Sequence, residues 1–133
     1  MAKSQNTITE PELACYNLMV EYHRRIEELM AMYDPQSRTP RMERERWGEA
    51  RRLYTSLKID LRDEYKRLSN SRHHCTSAES RWLQGPVHHA FVALSAATNH
   101  PPARWLSCLF DAGGDFSHML SQMRDYFGLP SEG

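Results

Sequence analysis

Apolar side chains recur at steps of three and four along most of this chain, the spacing of one helical face. In the first segment Cys15, Leu18, Met19, Tyr22, Ile26, Leu29, Met30 and Tyr33 form such a stripe, with Asn17, Glu21, Arg24, Arg25 and Glu28 opposite. Thr9 with Glu12 three positions on has the form of a capping box, and Pro11 fits the permissive first turn. Asp34-Pro35 ends the pattern, because the residue before proline is pushed out of the helical region. These signals predict a first helix over residues 9–34, preceded by a polar tail over 1–8.

A second stripe follows a short polar link. Thr39-Pro40 reads as a cap and first helical position. Met42, Trp47, Ala50, Leu53, Tyr54, Leu57, Leu61, Tyr65 and Leu68 then fall within an arc of roughly 140°. The prediction is a second helix over residues 39–68. A link this short makes the two helices an antiparallel hairpin.

Downstream the pattern is shorter and more often broken. Thr76 with Glu79 is another capping box, ahead of Trp82 and Leu83. Gly85-Pro86, Asn99-His100-Pro101-Pro102 and Gly113-Gly114 each read as breaks. Between them lie Val87, Ala90, Phe91 and Leu94, then Trp105, Leu106, Leu109 and Phe110, then Phe116, Met119, Leu120, Met123 and Phe127. No stretch alternates with the period of a strand. The expected fold class is all-α: one helical domain over residues 1–133, with the long hairpin packed against three to four shorter C-terminal helices. The short-helix cluster would occupy 76–127 and a tail 128–133.

Bulk composition narrows the setting more than the function. The 133 residues are 40% hydrophobic and 26% charged, ordinary values for a chain that buries a core. Lys plus Arg and Asp plus Glu are 17 each, so a strongly basic polyanion binder is disfavoured and only local patches count. Three scattered cysteines, Cys15, Cys75 and Cys108, with no CxxC pair, suit free thiols in a reducing compartment. No signal-like apolar run and no membrane-length apolar stretch is apparent, so a cytoplasmic protein without membrane contact is expected.

Local charge is where chemistry first shows. On the second helix Arg41, Arg44, Arg51, Arg52, Lys58, Arg62 and Lys66 fall along one flank of the apolar face. Glu45, Glu49, Asp60, Asp63 and Glu64 gather mainly on the other. Such a row can dock on an acidic partner or follow a phosphate backbone. It can equally be a solvated face with salt-bridge partners. No aromatic residue interleaves it, which gives single-strand stacking little support.

Other candidates are thinner. His73, His74, Cys75, His88 and His89 lack the spacing that converges ligands on a metal, and no HxxxH or HExxH pair occurs. His23 with Glu27 stands without the further pairs of a di-iron bundle. No metal site and no cofactor is expected. No GxSxG elbow or phosphate-binding glycine loop is present. Arg81 and His88 bracket Trp-Leu-Gln-Gly-Pro-Val. That interval resembles the Arg-x4–6-His motif of HEPN ribonucleases, small helical domains in which both side chains meet an RNA phosphate. The methionines, Met19, Met30, Met32, Met119 and Met123 among them, suit core gap-filling better than an adaptable groove.

The sequence therefore favours a small non-enzymatic helical interaction protein that binds a larger protein or ribonucleoprotein assembly. Small neutral helical proteins of this kind are common among phage and mobile-element accessories and inhibitors of host defence. The alternative is a nucleic-acid-binding subunit that uses the basic flank of the second helix, alone or as a homodimer. A HEPN-like ribonuclease is the third reading.

Overall fold

A computed structural model describes residues 7–70 and 75–130. Its helices are α1 (Glu10–Met30), α2 (Trp47–Ser69), α3 (Gln84–Ser95) and α4 (Pro102–Phe127), and no strand occurs among the described residues. A three-residue 3-10 turn, Arg44–Arg46, precedes α2, and a π-helical turn, Glu79–Leu83, runs directly into α3.

The capping boxes form as the sequence predicts. At α1 the Thr9 amide donates to Glu12 Oε1 (3.1 Å) and the Glu12 amide donates to Thr9 Oγ1 (3.4 Å). Thr76 and Glu79 repeat the exchange at 3.0 and 3.1 Å. Each box satisfies two amides that a helix start leaves open. Helix α4 ends at Gly128, whose φ of 67° is the left-handed conformation that suits glycine, and the Leu129 amide bonds back to the Arg124 carbonyl at 2.9 Å.

Packing is carried by a chain of neighbours. Helix α4 lies against both α1 and α3, and α3 lies against α2, while α1 and α2 share a thinner contact. The buried layer joins Met19, Tyr22, Ile26 and Leu29 of α1 to Leu109, Phe116 and Met123 of α4. Tyr54, Leu57 and Leu61 of α2, with Val87, Ala90 and Leu94 of α3, continue it. Two stacked pairs knit the layer: Tyr22 on Phe116 (5.6 Å between centroids) and Tyr54 on Trp105 (4.6 Å). Buried hydroxyls find carbonyls, Tyr54 donating to Leu94 O at 2.7 Å and Tyr33 to Pro102 O. Among the described residues no helix is long and apolar enough to cross a membrane.

Helix α1 ends at Met30 and not at 34, the Met32 and Tyr33 amides bonding back three residues to Leu29 O (3.1 Å) and Met30 O (3.2 Å) as turns. Three further predicted boundaries move, each for a physical reason. Residues 39–43 are not helical: the Asp34 amide bonds to the Arg41 carbonyl (2.7 Å), and the following residue, Met42, is buried in the core. Trp47 Nε1 then donates to the Met42 carbonyl (3.0 Å), so the helix starts only after this crossing.

Gly113-Gly114 does not break the chain but sits inside the 26-residue α4, so the C-terminal cluster has fewer and longer helices than the sequence predicts. A Cβ at Gly113 would stand 3.3 Å from Ile26 Cγ2, so this glycine serves the close approach of α1 to α4. Gly85-Pro86 likewise stays helical. Pro86 has no N–H for the Trp82 carbonyl and its ring crowds that oxygen. The chain responds with a π turn, in which the Gln84 amide reaches back five residues to Glu79 O.

Candidate anion-binding flank of α2

With successive residues about 100° apart, Ala50, Tyr54, Leu57, Leu61 and Leu68 of α2 share the buried side. Arg51, Lys58, Arg62 and Lys66 follow one edge of that side. Asp60, Glu64 and Arg67 follow the other, and Gly48 falls in the first turn without interrupting the helix.

The acidic edge is neutralised from within the fold. Arg25 of α1 pairs with Asp60 at 2.8 Å and donates to Ser56 Oγ at 3.4 Å. Arg67 bridges Glu64 on its own helix and Glu79 on the π turn, the latter at 2.6 Å. Burial pushes the Glu79 carboxyl up, but the Arg67 guanidinium and the Thr76 hydrogen bonds outweigh this and hold it below its ordinary range. These contacts tie α2 to α1 and to the π turn.

The basic edge has little such compensation. Among the described residues, Arg41, Arg44, Arg51, Lys58 and Lys66 have no carboxylate within ion-pair distance. Arg62 meets only its exposed neighbour Asp63 (3.3 Å), and Arg52 meets Glu49 at 3.8 Å. Exposed pairs of this kind contribute about 0–1 kcal/mol and are easily exchanged for a ligand. Arg51 lies over the Trp105 ring at 5.4 Å and so covers an indole that is only 1% exposed.

The seven predicted cations do not all share this edge. Arg41 is in the non-helical approach to α2, and Arg44 is in the 3-10 turn with its guanidinium 5.8 Å above the Trp47 ring. Both line a separate groove with Pro101, Pro102 and Ala103 at the start of α4. Arg52 is rotated outward, beside a shallow depression that includes Thr55 and Ile59. The contiguous group is Arg51, Lys58, Arg62 and Lys66.

The sequence reading missed an aromatic cluster on the same edge. Tyr65 stacks on His88 of α3 at 4.7 Å and on Phe91 at 5.9 Å. His88 turns toward α2, while His89 turns toward Asp115 of α4 at 3.9 Å. The spacing of His88 and Phe91 by three was the available signal.

The remaining candidates do not converge. Arg81 is held between the rings of Trp82 and Tyr126, 4.6 Å from each, so it and His88 serve different neighbours. No contact among the described residues joins the two members of the HEPN-like interval. Burial, with the Glu79 carboxylate nearby, pushes the Cys15 thiol up to about 11, which keeps it protonated and unreactive at neutral pH. No group of three His, Cys, Asp or Glu among the described residues could hold a metal ion. His73 and His74 lie outside the described residues.

Comparison of the chain with known protein families, with curated proteins and with solved structures gave no match.

Proposed function

We propose that this protein is a helical docking module that presents the basic edge of α2 to an anionic surface on a larger protein or ribonucleoprotein assembly. One observation carries the reading. The acids of α2 at Asp60 and Glu64 are bound by Arg25 and Arg67, whereas Arg51, Lys58 and Lys66 have no carboxylate partner among the described residues. A chain of zero net charge thus keeps a localised positive edge, and it is the local field that steers an anionic partner.

Arrangement and setting belong to the same reading. Helices α1 and α2 act as an antiparallel hairpin: Cys15 shares a groove with Glu64 and Arg67, and Arg25, further along α1, pairs with Asp60, earlier in α2. Packing of α2 on α3, through Tyr65 on His88 and Phe91, holds the basic edge in place. Three free thiols suit a cytoplasmic protein. Accessory and inhibitory subunits carried by phage and mobile elements would use such a surface.

The test is retention on immobilised heparin, a defined polyanion, at low salt. The variant Lys58→Glu/Arg62→Glu/Lys66→Glu is expected to elute far earlier than the parent. Arg38→Glu/Arg104→Glu/Arg124→Glu, with the same change in net charge away from the edge, is expected to elute near it. Thermal unfolding of both establishes that they are folded. Equal losses in the two variants overturn the proposal, since net charge alone would then explain retention.

A further inference from the structure

We infer that the anionic partner of the α2 edge is duplex nucleic acid, gripped through its phosphate backbone without reading of sequence; this rests on the docking role proposed above. Four features point the same way. The first is linearity. Arg51, Lys58, Arg62 and Lys66 lie on one uninterrupted helix, so at 1.5 Å per residue they are spaced by roughly 10, 6 and 6 Å over roughly 22 Å of axis. A stiff row of fixed charges complements a stiff, regularly charged duplex better than a flexible acidic segment, which would lose conformational freedom along the whole contact.

The second feature is the absence of an apolar anchor within the row. Protein interfaces concentrate their energy in a central buried aromatic or aliphatic cluster. Between Arg51 and Lys66 the large exposed apolar side chain on α2 is Ile59, 37% exposed and on the outward side. Trp47, exposed to the same extent, precedes the row and has the Arg44 guanidinium over its ring. Nucleic-acid interfaces are more polar and more positive, as this edge is.

The third is the state of the neighbouring rings. Single-strand binders offer free aromatic faces on which bases stack. Here Tyr65 is already stacked on His88 and Phe91, so the rings beside the cations serve packing between α2 and α3. The fourth is chemical: α2 contains no Asn or Gln, the side chains that read adenine edges. Cations that contact phosphates give affinity without sequence preference.

The experiment is fluorescence anisotropy of the full chain with a labelled DNA duplex of about 24 base pairs, long enough to exceed the charged row. Neutralising four phosphates gives a slope of about −3.6 in log affinity against log salt. Binding should thus weaken on the order of 100-fold between about 50 and 200 mM salt. Lys58→Gln and Lys66→Gln should each flatten the slope by about one and weaken every duplex sequence alike. Neither lysine has an ion-pair partner among the described residues, so neither change should affect folding.

Three outcomes overturn the inference. One is a single strand of the same sequence binding as tightly as the duplex. Another is poly-L-glutamate displacing the duplex at equal charge concentration, which leaves the docking role standing with a proteinaceous partner. The last is slopes that do not change in the lysine variants. Loss of heparin retention together with loss of duplex binding in the parent protein would remove both readings.

Discussion

Gly114→Ala and Gly113→Ala differ by one position along α4 and should differ in their effect on stability, only the first being stabilising. An alanine inside a helix is favoured over glycine by about 1 kcal/mol, because glycine loses more backbone entropy on folding. At Gly114 an added Cβ meets nothing within 4 Å, so most of that gain is available. At Gly113 the Cβ stands 3.3 Å from Ile26 Cγ2, a few tenths of an ångström too close. Ile26 is fully buried, and β-branching leaves it essentially one χ1 rotamer in a helix.

It cannot swing aside, so α1 and α4 must separate slightly or Ile26 must leave its rotamer. Overpacking of this size costs about 1–2 kcal/mol, which cancels or exceeds the propensity gain. The expected order is Gly114→Ala above the parent and Gly113→Ala at or below it, the two variants separated by about 1–2 kcal/mol. For a domain of this size that is a Tm difference of roughly 3–8 °C. Thermal and urea unfolding followed by circular dichroism measure it. A Gly114→Ala protein no more stable than the parent would mean that the chain turns at this pair. Equal stabilisation in the two variants would mean that α1 does not cross at Gly113.

Three further outcomes follow from polar groups in the core and at its margin. Tyr54→Phe removes the 2.7 Å donor to the Leu94 carbonyl, which keeps the Thr98 hydroxyl at 3.3 Å, and should cost about 1 kcal/mol in urea unfolding, with little change in the m-value. Cys15 is raised from its ordinary value to about 11, so folding favours the protonated thiol. That contribution is complete below about pH 9 and lost as pH rises toward 11, and Cys15→Ala should flatten the alkaline fall in stability over that interval. Glu79 has the opposite sign. Its lowered carboxyl stabilises the fold at neutral pH and ceases to do so as pH drops below the ordinary range, so Glu79→Gln should lower stability at pH 7 by about 1 kcal/mol and reduce its loss in acid.

Helical class, both capping boxes and most core positions were legible because each depends on local spacing and local hydrogen bonds. Thr9, Thr76 and the stripe through Met19, Tyr22, Ile26 and Leu29 all fall in that group. The errors sit where distant groups decide. Gly113-Gly114 reads as a break until Ile26 is placed opposite it, and Pro86 reads as a stop until the preceding turn is allowed to widen. The basic edge was visible as a pattern. Its lack of internal partners was not, because Arg25 and Glu79, which engage α2's own charged groups, lie far away in sequence. Arg41 and Arg44 were placed on the helix because nothing local shows that Met42 must enter the core first.

The widened turn before Pro86 has a consequence for how this chain would be compared with another. Bonding from Gln84 back to Glu79 encloses one residue more than a regular turn does, so the segment carries in effect a single inserted residue. A protein lacking one residue between 79 and 84, and lacking the proline, could present the same buried row of Ala78, Trp82, Val87, Ala90 and Leu94 through an unbroken helix. The two sequences would fall out of register by one position there, although their cores superimposed. An alignment that forbids a gap inside a helix would score the matching halves of such a pair as unrelated.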